Sequence, residues 1–364
     1  MKYLLLICSV FLLLGCTSEK GVKGIELNIV KEFDLTEEVQ ILLYNMYTVV
    51  SHIKDKEELA FANSRSPARI VITDYNGNLI DTLGSQGRGP NEVESARYFG
   101  FDEDGNVMIL DKALAFFKNF DRENKTITSY DYPIKKGISV SSRILQQCKG
   151  NWYLGLQMIS EPSLPKTPII GVFDSIFTLT DTLGGYDPYF ERGSGIMTEP
   201  IVDVDCENQL IYTSHAKLPF IQVFSIEEGK YVSRSQNIPS SFMLSDKFIE
   251  MVTNPTEISR YMTEEQSLNL GIYHSEKHVY LVYRNDNYSK PNERNLNVRD
   301  HYVAAYTKND MEYLGEAKLD GAVLGTTNNG ELIVLKDENN YTFQFVEVNG
   351  DLLRGTDVTK QSPE

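Results

Sequence analysis

The sequence has few basic residues, four cysteines and one tryptophan. The shortage of basic residues argues against a nucleic-acid-binding protein. Its 364 residues hold 35 Lys and Arg against 51 Asp and Glu, with no basic cluster. Because nucleic-acid binding depends on basic side chains that neutralise phosphates, we expect no nucleic-acid partner. The five His show no ligand spacing beyond His274 and His278, which a strand need not place on one face. The Gly-x-Ser-x-Gly motif of serine hydrolases is also absent.

The first residues have the pattern of an export signal. Lys2 precedes an apolar run over residues 3–14, which is shorter than the roughly 20 residues of a membrane-spanning helix. The run ends in Leu13-Leu14-Gly15-Cys16, which resembles the lipobox of bacterial lipoproteins. The alternative is an ordinary signal peptide followed by a chance Cys. We predict a signal peptide over residues 1–15 and a lipid on the Cys16 thiol.

The residues after Cys16 indicate a destination. Thr17 stands where many lipoproteins retained in an inner membrane have Asp, so the resemblance implies the outer membrane. Glu19 is the only acidic residue nearby, which is a weak signal for surface export. We therefore expect a protein anchored to the outer membrane, on its periplasmic face or at the cell surface. Residues 16–24 are suited to a tether.

A short apolar core strand recurs six times. The first residues of the six copies are 48, 45, 58, 69 and 53 positions apart. Each core is followed by an alternating hairpin, and each core after the first is preceded by another apolar stretch, so a unit offers four antiparallel strands. The cores are Leu59–Phe61, Val107–Leu110, Trp152–Leu154, Leu210–Tyr212, Val279–Val282 and Leu332–Leu335.

Repeated four-stranded units are typical of a β-propeller, in which each blade buries its faces against its neighbours. We therefore predict an all-β fold over residues 25–358, a six-bladed β-propeller of four-stranded antiparallel blades. Two tandem sandwiches are the competing interpretation. Residues 25–30 alternate and are expected to complete the sixth blade. Residues 245–266 predict a short helical insertion between blades four and five.

A glycine-rich run follows the first hairpin. It reads Gly84-Ser85-Gln86-Gly87-Arg88-Gly89-Pro90-Asn91-Glu92 and lacks the Gly-Lys-Ser/Thr ending of a P-loop. We interpret it as an inter-blade turn whose glycines take positive φ. The run, the lipobox and the six units resemble the six-bladed, TolB-like propeller lipoproteins of Bacteroidota, in which Gly usually stands at the place of Asn91. The resemblance implies a fold and an envelope location, but no reaction.

Aromatic and Arg side chains on long connections are suited to recognition. We predict a binding or scaffold module for a protein, peptide or glycan partner, attached to the membrane through Cys16. A structural subunit of an envelope complex is a further alternative. The candidate binding residues are Arg88, Tyr189, Arg192, Arg284, Asn285 and Tyr288.

An alternative of a different class is a calcium-dependent, lactonase-like hydrolase. Its ligands would be oxygen atoms at the inner ends of blades. No spacing singles out such a set, so we predict no catalytic residue, metal or cofactor. The candidates are Glu92, Asp203, Asp205 and Asn285.

Cys148 and Cys206 occupy equivalent positions, each four residues before a core strand. We expect equivalent positions in neighbouring blades to lie farther apart than the roughly 7 Å limit between the Cα atoms of a disulfide. The sequence therefore predicts two free thiols.

Overall fold

The computed structural model describes residues 25–43, 50–52, 56–63, 68–132, 138–141, 144–158, 168–186, 199–244, 266–286 and 300–350. Within these ranges the fold is all-β, with 27 strands and one short helix. The predicted signal peptide, Cys16 and the predicted tether lie outside the described residues, as does nearly all of the predicted helical insertion.

The chain begins with β1 (Glu26–Asp34) and helix α1 (Glu37–Leu42). One antiparallel sheet then forms in chain order from β2 (Val50–His52), β3 (Glu58–Asn63), β4 (Arg69–Asp74) and β5 (Leu79–Leu83). A parallel pair follows, made of β6 (Ser85–Gln86) and β7 (Glu92–Val93).

The next strands join one nine-stranded sheet. They are β8 (Tyr98–Phe101), β9 (Val107–Asp111), β10 (Phe116–Asp121), β11 (Thr126–Asp131), β12 (Ile138–Val140), β13 (Ile144–Cys148), β14 (Asn151–Met158), β15 (Ile170–Phe173) and β16 (Leu179–Leu183). The strand order is β11-β10-β9-β8-β13-β14-β15-β16, and β12 pairs with β14.

Three more four-stranded sheets complete the fold. One contains β17 (Pro200–Asp205), β18 (Leu210–His215), β19 (Gln222–Ser225) and β20 (Lys230–Arg234). The next contains β21 (Gln266–His274), β22 (His278–Asp286), β23 (Asp300–Thr307) and β24 (Tyr313–Leu319). In the last, β25 (Ala322–Thr326), β26 (Leu332–Asp337) and β27 (Thr342–Asn349) are joined by β1.

Side-chain chemistry in the turns explains why the hairpins form where the sequence predicts them. Between β4 and β5, the Asp74 carboxylate accepts bonds from the backbone N–H of Asn76 and Asn78, at 2.8 and 2.9 Å. Gly77 supplies the left-handed φ of +80° that this turn requires. The turn therefore fixes the register of the two strands.

The apolar core lies between neighbouring sheets. Where the last sheet meets the first, Phe343 packs with Phe33 and Phe61, at ring-centroid distances of 5.5 and 5.4 Å. Within the nine-stranded sheet, the rings of Phe117 and Trp152 stack on Phe177, so the two halves of this sheet pack together. Burial of this kind stabilises sheets that cannot cover both faces alone.

The predicted six-bladed propeller is wrong. Four sheets stand as separate four-stranded blades in a propeller-like arrangement, but the second and third predicted units merge into a half-barrel sheet through parallel pairing of β8 with β13. Gly100 explains the merger, because a Cβ there would lie 1.7 Å from the carbonyl oxygen of Leu145. Without a side chain at this position the two strands approach closely enough to share hydrogen bonds.

The prediction that residues 25–30 complete the last unit is confirmed, because β1 pairs with β27 from Glu26–Asn349 to Asp34–Thr342. The alternating hairpin predicted after the last core strand, over residues 342–353 with its turn at Val348-Asn349-Gly350, is wrong at that turn. Strand β27 runs through Val348 and Asn349, and β1 takes the place beside it.

The prediction of two free thiols is also wrong. Cys148 and Cys206 form a disulfide, with their Cα atoms 5.4 Å apart. They lie at the ends of β13 and β17, the first strands of their units, which contact each other. Because β13 and β17 approach each other closely, Cys148 and Cys206 are nearer to each other than we expected for equivalent positions in neighbouring blades.

Candidate functional site

The two ends of the strands differ in character. We call one end the turn end, where short turns follow the first strand of a unit, at residues 102–106, 149–150, 206–209, 275–277 and 327–331. We call the opposite end the loop end. There β14 and β22 finish at Met158 and Asp286, before the connections to β15 and β23.

Contacts between neighbouring turns run around the turn end. The Glu103 carboxylate accepts bonds from the backbone N–H of Lys149 and Gly150, at 2.6 and 3.2 Å. The Cys148–Cys206 disulfide adds a covalent link to the next unit. The Asn328 side-chain amide then donates to the carbonyl of Lys56, at 3.0 Å, so the last sheet contacts the first.

A buried group of charged side chains, the charge cluster, lies at the same end. Asp203 and Asp205 alternate along β17, so both project from one face. Asp203 accepts a bond from the Gln146 amide at 2.8 Å and contacts His274 Nδ1 at 2.6 Å. Asp205 pairs with the Lys308 ammonium at 2.5 Å. Both carboxylates are at least nine-tenths buried, so these contacts replace their lost hydration.

The charge cluster sets the protonation of His274 and Asp205. Burial lowers the pKa of His274 and is the largest single influence, but Asp203 and Asp205 outweigh it and raise this pKa above 6.5. Burial also raises the pKa of Asp205, but bonds from Lys308 and Asn208 outweigh it, so this pKa is lowered. The two carboxylates thus face the Lys308 ammonium and the His274 imidazole, and β17 is joined to the sheet of β21.

The calcium candidates are used by the protein itself. Asp203 and Asp205 are engaged in the charge cluster, and the Glu92 carboxylate accepts a bond from the Gly89 N–H at 2.7 Å. Asn285 bonds to neighbouring serines. Among the residues the structure describes, no three His, Cys, Asp or Glu side chains form a group suited to a metal ion.

A second polar group holds the segment of residues 235–244, which we call the connector, against the sheet of β21–β24. The Glu316 carboxylate accepts bonds from the Ser240 hydroxyl at 2.6 Å and from the backbone N–H of Ser241 at 2.8 Å. Its other oxygen accepts a bond from the Tyr283 hydroxyl at 2.8 Å. Burial raises the pKa of Glu316, but these bonds outweigh it and lower the pKa, so the carboxylate stays ionised.

Asn285 belongs to this connector network. Its amide nitrogen donates to the carbonyl of Ser241 at 2.9 Å, and its oxygen accepts a bond from the Ser267 hydroxyl at 2.5 Å. Ser267 in turn accepts from the backbone N–H of Met243, at 2.7 Å. Asn285, predicted as a binding residue, therefore positions the chain between β20 and β21 at the loop end.

Another buried amide joins two sheets at the loop end. Asn269 donates to the carbonyl of His215 at 2.7 Å and also to the carbonyl of Leu218. His215 is buried, and burial lowers its pKa to about 3, so its imidazole is neutral at physiological pH. Asn269 therefore joins the sheets of β18 and β21 through neutral groups.

The glycine-rich run connects β5 to β8 as an inter-unit turn. Gly84 has the predicted left-handed φ, at +76°. Gly87 leaves room for the Glu92 carboxylate, because a Cβ there would lie 2.0 Å from one of its oxygens. The buried Lys118 ammonium bonds to the carbonyls of Gly89 and Glu92, which fixes the turn.

The predicted binding residues are spread over the molecule. Arg88 lies on the glycine-rich run, is 78% exposed and pairs with Glu94 at 2.9 Å. Arg284 is half-buried on β22, beside Asn285. The remaining three, Tyr189, Arg192 and Tyr288, lie outside the described residues.

Sequence reasoning missed the partners of the two carboxylates. Gln146, His274 and Lys308 are 57, 71 and 103 positions away from Asp203 or Asp205 along the chain. The alternation of Asp203 and Asp205 at the end of an apolar strand was the available signal, because it places two acids on one buried face.

No helix in the described part of the chain has the length and apolar character needed to cross a membrane.

The fold is similar to two solved Bacteroides proteins. A member of the DUF4221 family from Bacteroides vulgatus has a TM-score of 0.67 at 14% identity, over 90% of this chain and 99% of that one. A protein from Bacteroides fragilis described as a candidate exported protein has a TM-score of 0.62 at 13% identity, over 89% and 95%. No family model and no curated protein matches the sequence. At these identities the likeness concerns the fold, a propeller-like β arrangement, and the TolB-like resemblance is not confirmed.

Proposed function

We propose that the chain is a lipid-anchored envelope module, held at the outer membrane through Cys16, that binds a protein, peptide or glycan partner with its loop end. The observation that carries the proposal is the difference between the two ends. At the turn end, neighbouring turns and inner strands are joined by hydrogen bonds, ion pairs and a disulfide. At the loop end, described strands stop on either side of residues 187–198, 245–265 and 287–299.

The chemistry of those three segments supports recognition. They hold Tyr189, Arg192 and Tyr288, residue types that dominate binding energy at protein interfaces. A rigid β scaffold that carries long connections is a common arrangement for binding proteins. The carboxylates considered for calcium are engaged in internal bonds, which favours binding over metal-dependent hydrolysis.

Three observations support an envelope location. Disulfides such as Cys148–Cys206 persist in oxidising compartments outside the cytosol. The Bacteroides fragilis protein of similar fold is described as a candidate exported protein. The lipobox over residues 13–16 supplies the anchor, and the glycine-rich run resembles that of propeller lipoproteins.

Lipidation is tested by metabolic labelling with an alkyne fatty acid. We expect the wild-type chain to incorporate the label and to sediment with membranes, whereas Cys16→Ser should do neither. A wild-type chain that is cleaved and released without label would contradict the anchor.

Partner binding is tested with a photo-crosslinking amino acid placed at Leu244 near the loop end or at Asp104 on the turn end, both exposed. We expect a discrete adduct from position 244 only, which disappears when Tyr189, Arg192 and Tyr288 are replaced together by Ala. Adducts from position 104 alone, or an adduct unaffected by the triple substitution, would contradict recognition through these loops.

A further inference from the structure

The described chain begins at the turn end. Glu26 pairs with Asn349 at the open ends of β1 and β27. A Cβ on the next residue, Gly350, would lie 3.6 Å from Nε2 of His278. His278 starts β22 directly after turn 275–277, and its backbone N–H donates to the Ser275 hydroxyl at 3.1 Å. The tether therefore joins the fold beside one of the short turns.

The loop end is a full strand length away. Strand β22 runs for nine residues from His278 to Asp286. At about 3.3 Å per residue, its two ends are about 26 Å apart. Asp286 and the neighbouring Asn285, which is bonded to the connector, mark the loop-end side of this distance.

The tether is too short for the loop end to reach the bilayer as easily as the turn end does. Nine residue steps separate Cys16 from Ile25. Such a chain spans about 30 Å when fully extended, but a random coil of this length averages only about 17 Å. If the loop end were to contact the bilayer, the tether would have to stretch along the side of the sheets to near its limit.

We propose that the lipid on Cys16 holds the turn end next to the bilayer and turns the loop end away from it. The partner is then a macromolecule in the aqueous compartment or on an opposing surface, and not the lipid headgroups of the anchoring membrane. The inference rests on the proposed lipid anchor and adds the direction in which the binding end faces.

The side chains of the turn end suit this position. Asp104, Lys149, Glu207 and Glu276 are exposed on its turns. Charged side chains stay hydrated and do not insert into the acyl region, so this end rests at the headgroup layer without penetrating it. The lipid alone supplies the attachment.

Energy transfer to a lipid dye tests the orientation. The lipidated chain carries a donor dye on Asp104→Cys at the turn end or on Leu244→Cys near the loop end, in phosphatidylethanolamine–phosphatidylglycerol vesicles that contain an acceptor lipid. The introduced thiol is the labelled one, because Cys148 and Cys206 are joined to each other. We expect strong transfer from position 104 and about half as much from position 244, since about 26 Å separates the ends.

A longer tether is the matched control. Insertion of twenty Gly/Ser residues after Gly24 raises the average span of the tether to about 30 Å, which should make the two signals more alike. Equal or reversed transfer with the native tether would overturn the proposed orientation. Loss of vesicle binding by the wild-type chain would instead contradict the lipid anchor. The Cys16→Ser variant provides the energy-transfer signal expected of a chain that is not anchored.

Discussion

The turn end and the loop end of this molecule are stabilised by different chemistry. Charged and covalent contacts join neighbouring units at the turn end, through Asp205–Lys308, Asp203–His274 and Cys148–Cys206. At the loop end, amides and hydroxyls bond around Glu316 and Asn269. The disulfide and the Asp205–Lys308 pair therefore lie at the turn end, whereas the long connections, which can vary with less effect on the scaffold, lie at the loop end.

The largest expected effect comes from the disulfide. The Cys148→Ala/Cys206→Ala double variant should lose about 4 kcal/mol of unfolding free energy, because the bond closes a loop of 58 residues in the unfolded chain. Urea unfolding measures the loss. Wild-type protein kept in a reductant should unfold at a similar midpoint, whereas an unchanged midpoint in both would mean that the turn end does not depend on the covalent link.

The buried ion pair should rank next. Lys308→Met leaves the Asp205 carboxylate buried without its ammonium partner, which should cost about 3 kcal/mol in urea unfolding. Lys318→Met is the matched control, since the Lys318–Asp300 pair is more than half exposed and should change stability by about 0.5 kcal/mol or less. Equal effects of the two substitutions would remove the distinction between the buried cluster and the surface.

A smaller loss is expected at the connector. Glu316→Gln replaces charge-assisted bonds from Ser240, Ser241 and Tyr283 with neutral ones and should cost about 2 kcal/mol. Hydrogen exchange should speed up first in residues 240–243. The exposed Glu347→Gln on β27 is the control, and faster exchange throughout the fold would contradict a role confined to the connector.

The smallest effect concerns pH. The pKa of His274 is raised in the folded state, so its stabilisation is complete below about pH 6.5 and is lost as the pH rises through the folded pKa. His215 acts in the opposite direction, because its lowered pKa costs stability as the pH falls below its usual value of 6.5. The useful quantity is therefore the stability difference between wild type and His274→Gln. This difference should be larger at about pH 5.5 than at about pH 8.5. A difference independent of pH would contradict the statement that the charge cluster raises the pKa of His274.

Local features of the fold could be predicted from the sequence because the forces that set them act over a few residues. The Asp74–Asn78 turn brings its own hydrogen bonds and glycine, so the hairpin of β4 and β5 follows from adjacent residues. The strand over residues 25–30 was predictable as well. Its apolar and polar residues alternate, and it precedes the first predicted unit, so it was expected to pair with a distant strand. Each of these depends on sequence period and turn chemistry.

The remaining features depend on distances between strands that the sequence does not contain. In the sequence, Gly100 looks like any other glycine in a strand. In the structure it lies against the carbonyl of Leu145, and this close approach merges two units into one sheet. The separation of Cys148 from Cys206 depends equally on how closely β13 and β17 approach each other. The partners of Asp203 and Asp205 are distant in sequence, so no local sequence pattern predicts the charge cluster.

The pairing of β1 with β27 also sets an order of events during folding. Glu26 and Asn349 are 323 positions apart, so β1 finds its partner only when the chain through β27 is available to fold. Closing such a separation is entropically costly, and contacts of this range form late. Until then β1 presents an unpaired backbone edge, with Ile29 and Val30 exposed even in the finished sheet. During folding, β1 is therefore open to pairing with other chains until β27 takes it up.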